Sequence, residues 1–369
     1  GRLLAENIRI DGQPGADWAE AVLAELRAMP NVRLMTRTTV TGAYDDGTFG
    51  ALERVGLHCK PAPHLPRECF WRIVAGQAVL AAGALERPLA FPDNDRPGIM
   101  LASAVRSYLH RYGVVPGKRI TVIANNDAAR ATARDLMAAG VKVAAILDTR
   151  PDATALEDCP VYLNAQITGT AGRLGLTSIT FRHAGGTDTL ETDCLAMSGG
   201  WNPTVHLTCH MNGRPLWRED IAAFVPAPDA VPRLTPAGAC NGAFSTAACL
   251  RDGMEAARTA LAALGKTAPD MLLPMTEDAP YAITPFWQTP GVDGRQWLDF
   301  ANDVTTKDVK LSAQENFRSV EHMKRYTTQG MAPDQGKNSN VAALAVLADA
   351  NGRGIPQTGT TTFRPPYIP

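Results

Sequence analysis

The sequence predicts an α/β fold that contains Rossmann-like βαβ units and continues into a small helical domain. The clearest unit lies at 119–148, where a buried apolar strand, a polar turn, a helix ended by Gly140 and a second strand follow one another. Apolar strands at 72–80 and 194–197 each run into a turn of small residues, which lets the backbone approach a ligand. Residues 303–351 show the spacing and capping residues of three helices.

Composition excludes several classes of partner. The chain has 369 residues, of which 45% are hydrophobic and 20% charged, enough for two or three domains with buried cores. The net charge is -1 and no window is rich in Lys and Arg, so we expect neither nucleic acid nor an anionic membrane as partner. No apolar stretch approaches the roughly 18–20 residues of a membrane-spanning helix.

The seven cysteines form an odd set without a CxxC pair, mostly within apolar runs. This pattern predicts buried thiols in a reducing compartment, and we expect a cytoplasmic protein. His206, Cys209 and His210 could supply metal ligands if a fourth group came from elsewhere. Because zinc sites usually show a second paired set, we expect no metal.

The 119–148 unit has lost the glycines of a dinucleotide-binding turn. Those positions hold Ala124, Asn126 and Ala129, whereas glycines let a pyrophosphate reach the helix N-terminus. Asp148 occupies the strand end at which an acid can bind a ribose, although acids end many strands. The favoured interpretation is a unit that is kept for packing.

Other segments complete the predicted organisation. A helix at 17–28 is followed by a strand at 32–35. A glycine-bearing turn at 236–247 precedes a long helix, whose first N–H groups could face a phosphate or could only pack. Residues 266–298 are expected to cross the surface as a connector, and 353–369 to form an extended linker.

Five motifs carry a family resemblance. They are ERPLAFPDNDRPGIM (86–100), VIANNDAARATA (122–133), MSGGWNP (197–203), VEHMKRYTTQGMAPDQGK (320–337) and GTTTFRPP (359–366). With them, essentially the whole chain resembles the alpha subunits of heterotetrameric sarcosine oxidase.

The resemblance implies a two-dinucleotide-binding-domain flavoprotein fold like that of disulfide reductases, only partly contained in this chain. It implies a first domain at 1–110, an inserted second domain at 111–200, a return to the first at 201–265, the connector, a small helical domain at 299–352 and a linker at 353–369. The GxGxxG loop is expected just before Arg2, and a folate-binding aminomethyltransferase-like domain after the linker. This chain alone is therefore expected to carry little NAD.

The resemblance also implies two cofactor sites. The expected NAD-binding residues are Arg2, Val40, Ala82, Gly83, Ala239, Phe244 and Thr246. Flavin mononucleotide (FMN), held covalently by a beta subunit, is expected at an interface to which Lys324, Arg325, Thr328, Gln335 and Lys337 contribute. The alternative for this second set is a solvated or subunit-docking helix surface.

Related amine- and opine-oxidising subunits bind a [2Fe-2S] cluster in a segment similar to the helical domain. The pattern CxCxxVT…MGxCQGxxC places its cysteines at Asp299, Ala301, Asp334 and Ser339 of this chain. Such clusters need thiolates, so we expect a helical domain without iron.

The expected function is that of the alpha-subunit portion of a sarcosine oxidase, which demethylates sarcosine oxidatively with oxygen. The chemistry is expected in the beta subunit, with gamma and delta subunits as further partners, because no catalytic set is recognisable in this chain. The alternatives are a subunit of an amine, opine or proline dehydrogenase and a non-catalytic assembly scaffold. A disulfide reductase would need a redox-active cysteine pair.

Overall fold

The computed structural model describes residues 1–153, 158–277, 281–361 and 363–365, without the side chain of Ala129. Its helices are α1 Gly15–Ala28, α2 Ala102–Tyr112, α3 Ala128–Ala138, α4 His206–His210, α5 Thr246–Ala263, α6 Thr306–Gln314, α7 Val320–Thr327, α8 Asn340–Ala350 and α9 Ile355–Thr358. Its strands are β1 Arg9–Ile10, β2 Gln13–Pro14, β3 Thr38–Tyr44, β4 Thr48–Glu53, β5 Cys69–Val74, β6 Ala78–Leu80, β7 Ala84–Glu86, β8 Ile99–Leu101, β9 Arg119–Ala124, β10 Lys142–Asp148, β11 Val161–Tyr162, β12 Gln166–Ala171, β13 Ser178–His183, β14 Gly186–Glu191, β15 Cys194–Ser198, β16 Trp201–Pro203, β17 Leu216–Arg218, β18 Ala223–Val225, β19 Leu234–Pro236, β20 Trp297–Asp299 and β21 Val304–Thr305.

A five-stranded parallel sheet in the order β11–β10–β9–β15–β8 organises the middle of the chain. Its central strands are apolar and buried on both faces, as is typical of parallel sheets that are covered on both sides. Helices α2 and α3 cover one face, where Val105 and Leu136 share a cluster with Ile120 and Val122. The antiparallel meander β12–β13–β14 covers the other face through Phe181. The predicted βαβ unit at 119–148 is confirmed. Strand β8 and helix α2 belong to the same layered region but begin before residue 111, where the second domain was expected to start.

A smaller region is built from residues that precede the five-stranded sheet in the sequence and residues that follow it. Strand β6 pairs in parallel with β19, so the chain leaves the region, forms the five-stranded sheet and returns. The antiparallel meander β3–β4–β5 packs beside this pair through Phe49, Leu80, Leu234 and Cys240. Helix α5 starts shortly after β19, as the sequence predicts.

The segment 281–289, called the strap below, lies within the predicted connector. Ala282, Thr284 and Pro285 of the strap are exposed, whereas Thr289 and Gln296 are only 1% and 6% exposed, so the connector is buried at these two positions. The Gln296 side chain accepts from the Thr289 N–H at 3.0 Å and donates to the Thr289 carbonyl at 2.8 Å, which satisfies both buried backbone groups. Isolated bridges tie the strap, through Ala90–Gln288, and the residues after it, through Pro92–Gln296, to the region before β8.

The helical domain packs around α8, whose residues 340–348 are all buried. Val309 of α6 and Met323 of α7 lie in the same apolar cluster as Leu344 and Leu347. Thr305 and Asp308 form a reciprocal capping box at the start of α6. The three predicted helices are confirmed.

Three sequence expectations differ from the structure. Residues 32–35 form no strand, since no ladder partner lies beside them among the described residues. The strand predicted at 72–80 is two strands, because the chain passes at 75–77 from the sheet of β5 to that of β6. The linker at 353–369 contains the short helix α9, while its residues 362 and 366–369 lie outside the described part. Within the described residues, no helix has the length and apolar character needed to cross a membrane.

Candidate functional site

A cleft beside the start of the chain, called the N-terminal cleft, brings most of the expected NAD residues together. Its volume is about 440 Å³, within the range of small-molecule sites. The expected residues that line it are Arg2, Ala82, Gly83, Ala239 and Phe244. Glu6, Glu86, Ser103, Arg106, Thr132 and Trp201 also line it. The sequence did not single out these last residues, because their own motifs show no ligand pattern.

A turn of small residues between β6 and β7 forms one wall of the N-terminal cleft. Gly83 has a φ of 73°, a conformation that glycine adopts without strain. No atom lies within 4 Å of the position that a Cβ would take at Gly83, and Ala81 and Ala82 are exposed. The backbone of this turn is therefore open to a ligand.

The segment before α5 forms a second wall. Gly238 donates its N–H to the carboxylate of Asp252 at 2.6 Å, which holds the turn against α5. Ser245 caps α5 by accepting from the Ala248 N–H at 3.2 Å. These two N–H groups are already hydrogen-bonded within the protein, so they are not the donors that a phosphate at this helix start would use.

Ion pairs fix the cationic side of the N-terminal cleft. Arg2 contacts Glu6 at 2.6 Å and also donates to the Phe244 carbonyl. Glu6 accepts from Arg106 at 3.0 Å, and Arg106 contacts Asp135 at 2.7 Å. The network holds Arg2 at the cleft wall and links the start of the chain to α2 and α3.

Glu86 is the buried acid of the N-terminal cleft. It is 5% exposed and accepts from the Ser103 N–H at 2.7 Å, near the N-terminus of α2. Burial raises the pKa of Glu86, and the hydrogen bonds from Ser103 and Ser198 oppose this shift.

Two of the expected NAD residues lie outside the cleft lining. Val40 of β3 packs against the cluster that contains Leu80 and Cys240. Thr246 is the first residue of α5 and is 7% exposed. Neither side chain lines the N-terminal cleft.

A second cleft, called the C-terminal cleft, contains two of the five residues expected at the FMN interface. Its volume is about 360 Å³, and it is lined by Lys324, Gly330, Met331, Ala332, Pro333, Gln335 and Arg364. Arg364 was missed by the sequence argument, because it lies in a Pro-rich segment without periodicity.

The other three expected FMN residues do not line the C-terminal cleft. Lys337 lies 3.4 Å from the Gln335 side chain and lines a small neighbouring cavity. Thr328 ends α7 in a left-handed conformation with φ of 65°. The Arg325 side chain is 67% exposed and pairs with Glu321 at 3.0 Å.

The C-terminal cleft favours an anion. Burial lowers the pKa of Lys324; Glu321 opposes this shift, while the nearby charges of Arg364 and Arg325 add to it. Two cationic side chains lining one recess are more stable when an anion is bound between them.

The chain matches known proteins along its whole length. Residues 293–369 match the family model described as the sarcosine oxidase A3 domain. Over 374 residues the chain is 45% identical to sarcosine oxidase subunit alpha from Rhizobium meliloti (strain 1021), which covers 100% of this chain and 38% of that relative. The chain belongs to the sarcosine oxidase alpha-subunit family. It spans less than two fifths of the length of this relative.

Solved structures show the same fold. L-proline dehydrogenase from P. horikoshii aligns with a TM-score of 0.76 at 16% identity, over 100% of this chain and 70% of the other. Thioredoxin reductase from T. acidophilum aligns with a TM-score of 0.50 at 14% identity, over 72% and 86%. The predicted fold, a dinucleotide-binding flavoprotein architecture followed by a small helical domain, is confirmed.

Hydrogen bonds occupy two of the positions at which the sequence pattern aligned cluster cysteines, Asp299 and Ser339. The Asp299 carboxylate accepts from the N–H groups of Ala301 at 3.0 Å, Asn302 at 3.2 Å and Gly330 at 2.7 Å. Ser339 accepts from the Gln329 side chain at 2.7 Å. Among the described residues, no group of three or more His, Cys, Asp or Glu side chains is arranged to hold a metal ion.

The His206, Cys209 and His210 set is held by protein contacts. His206 lies edge-on to Phe363 at 5.5 Å, whereas His210 accepts from the Ala43 N–H at 3.2 Å. Burial, aided by the charge of Lys337, lowers the pKa of His206 to about 4.

The seven cysteines are less buried than the sequence predicted. Cys159, Cys194 and Cys240 are buried, while Cys59 is exposed. The run around Cys59 contains charged residues and prolines, which keep it at the surface.

Two arginines bind the carboxylate of Asp148. Arg130 contacts it at 2.9 Å, and Arg150 contacts it at 2.9 Å through both its Nε and a terminal nitrogen. Asp148 is 0% exposed, which supports the packing interpretation over ribose binding.

Proposed function

We propose that this chain is part of the alpha subunit of a sarcosine oxidase complex that demethylates sarcosine with oxygen. In this proposal the oxidation takes place in the beta subunit, and gamma and delta subunits complete the assembly. The supporting observation is the convergence of five expected NAD residues on one cleft, in a chain 45% identical to an alpha subunit. A cytoplasmic location is part of the proposal, since an exposed thiol such as Cys59 suits a reducing compartment.

NAD is the proposed ligand of the N-terminal cleft. The open backbone at Gly83 allows close approach of a diphosphate, and the Arg2 guanidinium offers a cation at the same wall. Ser103 and Thr132 add hydroxyl groups for ribose or phosphate oxygens. The donor set therefore fits a dinucleotide.

The substitution Ala82→Glu tests NAD binding. A carboxylate roughly 5 Å from a diphosphate charge costs about 3 kcal/mol at an effective dielectric constant of about 20, equivalent to an affinity loss of roughly a hundredfold. The measurement is the NAD content of the full-length subunit after denaturation, by mass spectrometry. Ala171→Glu adds the same charge at an exposed strand end and should leave NAD unchanged. Equal NAD content in both variants would refute this site.

The C-terminal cleft is the proposed alpha-subunit contribution to the FMN site. Lys324, Gln335 and Arg364 would bind the phosphate, with Lys337 beside them. When bound, the flavin supplies the hydride acceptor for amine oxidation. The residues of this chain hold and orient its anionic end.

Charge reversal of the two cations that line the C-terminal cleft tests the FMN assignment. We expect Lys324→Glu and Arg364→Glu each to lower the flavin content of the assembled complex at least roughly tenfold, because a phosphate then meets like charge. Arg325→Glu is the matched control, since it makes the same change on the exposed side of the same helix. Loss of flavin with Arg325→Glu alone would contradict the assignment.

The assembly scaffold is the second candidate. The Asp148 ion pairs favour it for the inserted unit, because they close a position at which a ribose could bind. If the complex assembles fully while the Ala82 and Lys324 variants leave both cofactor contents unchanged, the scaffold function replaces the cofactor assignments.

A further inference from the structure

The carboxyl edge of the five-stranded sheet is where open parallel sheets bind nucleotides, at the point where the strand order reverses. In this chain the reversal lies between β9 and β15, which are neighbours in the sheet. Asn126 follows β9, and Gly200 follows β15. A ligand of this second unit would have to approach these two positions.

The backbone of the strap lies across this edge. Ile283 forms an antiparallel bridge with Asn126. The Asp127 N–H donates to the Ala282 carbonyl at 3.2 Å, and the Thr284 N–H donates to the Asn125 carbonyl at 3.0 Å. The strap thus bonds the turn whose N–H groups would otherwise face a phosphate.

Charged side chains fasten the strap at the same place. The Asp127 carboxylate accepts from the Ala282 N–H at 2.9 Å and from Arg150 at 2.7 Å. Arg150 donates to the Ala282 carbonyl at 3.1 Å. Both charges of this pair bond to the strap as well as to each other.

Apolar groups of the strap fill the space above the edge. A Cβ at Gly200, whose φ is 95°, would collide with the Ile283 side chain, so Ile283 occupies the room that this glycine leaves. Trp287 lies 5.0 Å from the buried guanidinium of Arg87. Phe286 packs against the apolar cluster between the five-stranded sheet and the β12–β13–β14 meander.

We propose that the strap is the resident occupant of the second nucleotide crevice, so that this unit binds a segment of its own chain in place of a dinucleotide. Asn126, at a former glycine position, donates to the Ser198 carbonyl and hydroxyl at 3.1 Å each and accepts from the Ala128 N–H at 3.0 Å. A glycine could make none of these side-chain bonds. Asn126 therefore holds the turn in place, and its neighbour Asp127, together with Arg150, binds the strap to that turn.

Hydrogen exchange with NAD as probe tests the occupancy. Saturating NAD should leave exchange unchanged in peptides from 119–127 and 282–289 of the unaltered protein; Ala128 lines the N-terminal cleft and Tyr281 packs against Phe244 of its wall, so both are left out. Protection of 119–127 by NAD would overturn the proposal. Peptides from 81–86 cover one wall of the N-terminal cleft, so their exchange shows whether NAD binds there. Unchanged exchange in these peptides would contradict the NAD assignment of that cleft without bearing on the strap.

Variants of the strap contacts provide the second arm. Asp127→Ala and Thr284→Pro each remove strap hydrogen bonds, and we expect exchange of 281–289 to accelerate at least roughly tenfold. Asp188→Ala removes an exposed pair with His183 in the meander and should not change the strap. Unchanged strap exchange in both strap variants, with far-UV circular dichroism showing that each remains folded, would overturn the proposal.

Discussion

Replacing Asp299 by alanine removes one buried acceptor that serves three backbone donors of the helical domain. Asp299 is 1% exposed, and its bonds to Ala301, Asn302 and Gly330 join β20 to the loop after α7. Hydrogen bonds to a charged group contribute about 1.5–3 kcal/mol each. Because Ala301 is exposed and water can replace part of the lost bonding there, we expect a loss of about 3–5 kcal/mol in the free energy of unfolding.

Urea unfolding followed by circular dichroism and tryptophan fluorescence measures this loss. Asp299→Asn keeps one acceptor oxygen and should fall between the alanine variant and the unaltered protein. Asp349→Ala removes an exposed acid of the same domain and should change stability by no more than about 0.5 kcal/mol. A loss below about 1 kcal/mol for Asp299→Ala would refute the assigned role of these bonds.

Three further predictions concern single groups. Burial lowers the pKa of His206 from 6.5 to about 4, so protonation favours the unfolded chain and stability should fall by roughly 3 kcal/mol as the pH drops from about 6.5 to about 4; His206→Gln should flatten this profile in pH-dependent unfolding. Native alkylation followed by peptide mass spectrometry should label exposed Cys59 well before Cys194, whose pKa burial raises to about 12, and equal rates would contradict the assigned burial. Thr305→Ala should cost about 1 kcal/mol in urea unfolding by removing the α6 capping box, with Thr267→Ala in the exposed loop after α5 as a near-neutral control.

Local sequence patterns were sufficient to predict the strands and helices whose formation depends on neighbouring residues in the chain. The continuous apolar runs of β9 and β10 and the stop at Gly140 predicted a βαβ unit because a two-sided core needs such strands. Thr305 and Ser319 predicted helix starts because their side chains cap the nearest N–H groups.

Long-range contacts explain what the sequence could not predict. The residues 32–35 have the composition of a strand, but strand formation also needs a neighbour, which the sequence does not reveal. Arg364 and Glu86 join their clefts from segments without a ligand pattern. The strap lies within a connector whose Pro, Asp and Thr residues resemble a surface crossing, and only the distant groups of Asp127 and Arg150 give it a fixed place.

The position of the strap in the sequence bears on how the protein folds during synthesis. Asp127 and Ala282 are 155 residues apart, so the crevice and its occupant emerge from the ribosome at well-separated times. Domains form as units while translation proceeds at about 5–20 residues per second. The inserted unit is complete only after β15, which ends at Ser198, so its nucleotide edge stays uncovered for roughly 4–17 seconds before the strap can dock. During that interval the nascent chain exposes an edge that the mature protein covers, which makes this period the one in which a chaperone or a stray nucleotide has access to it.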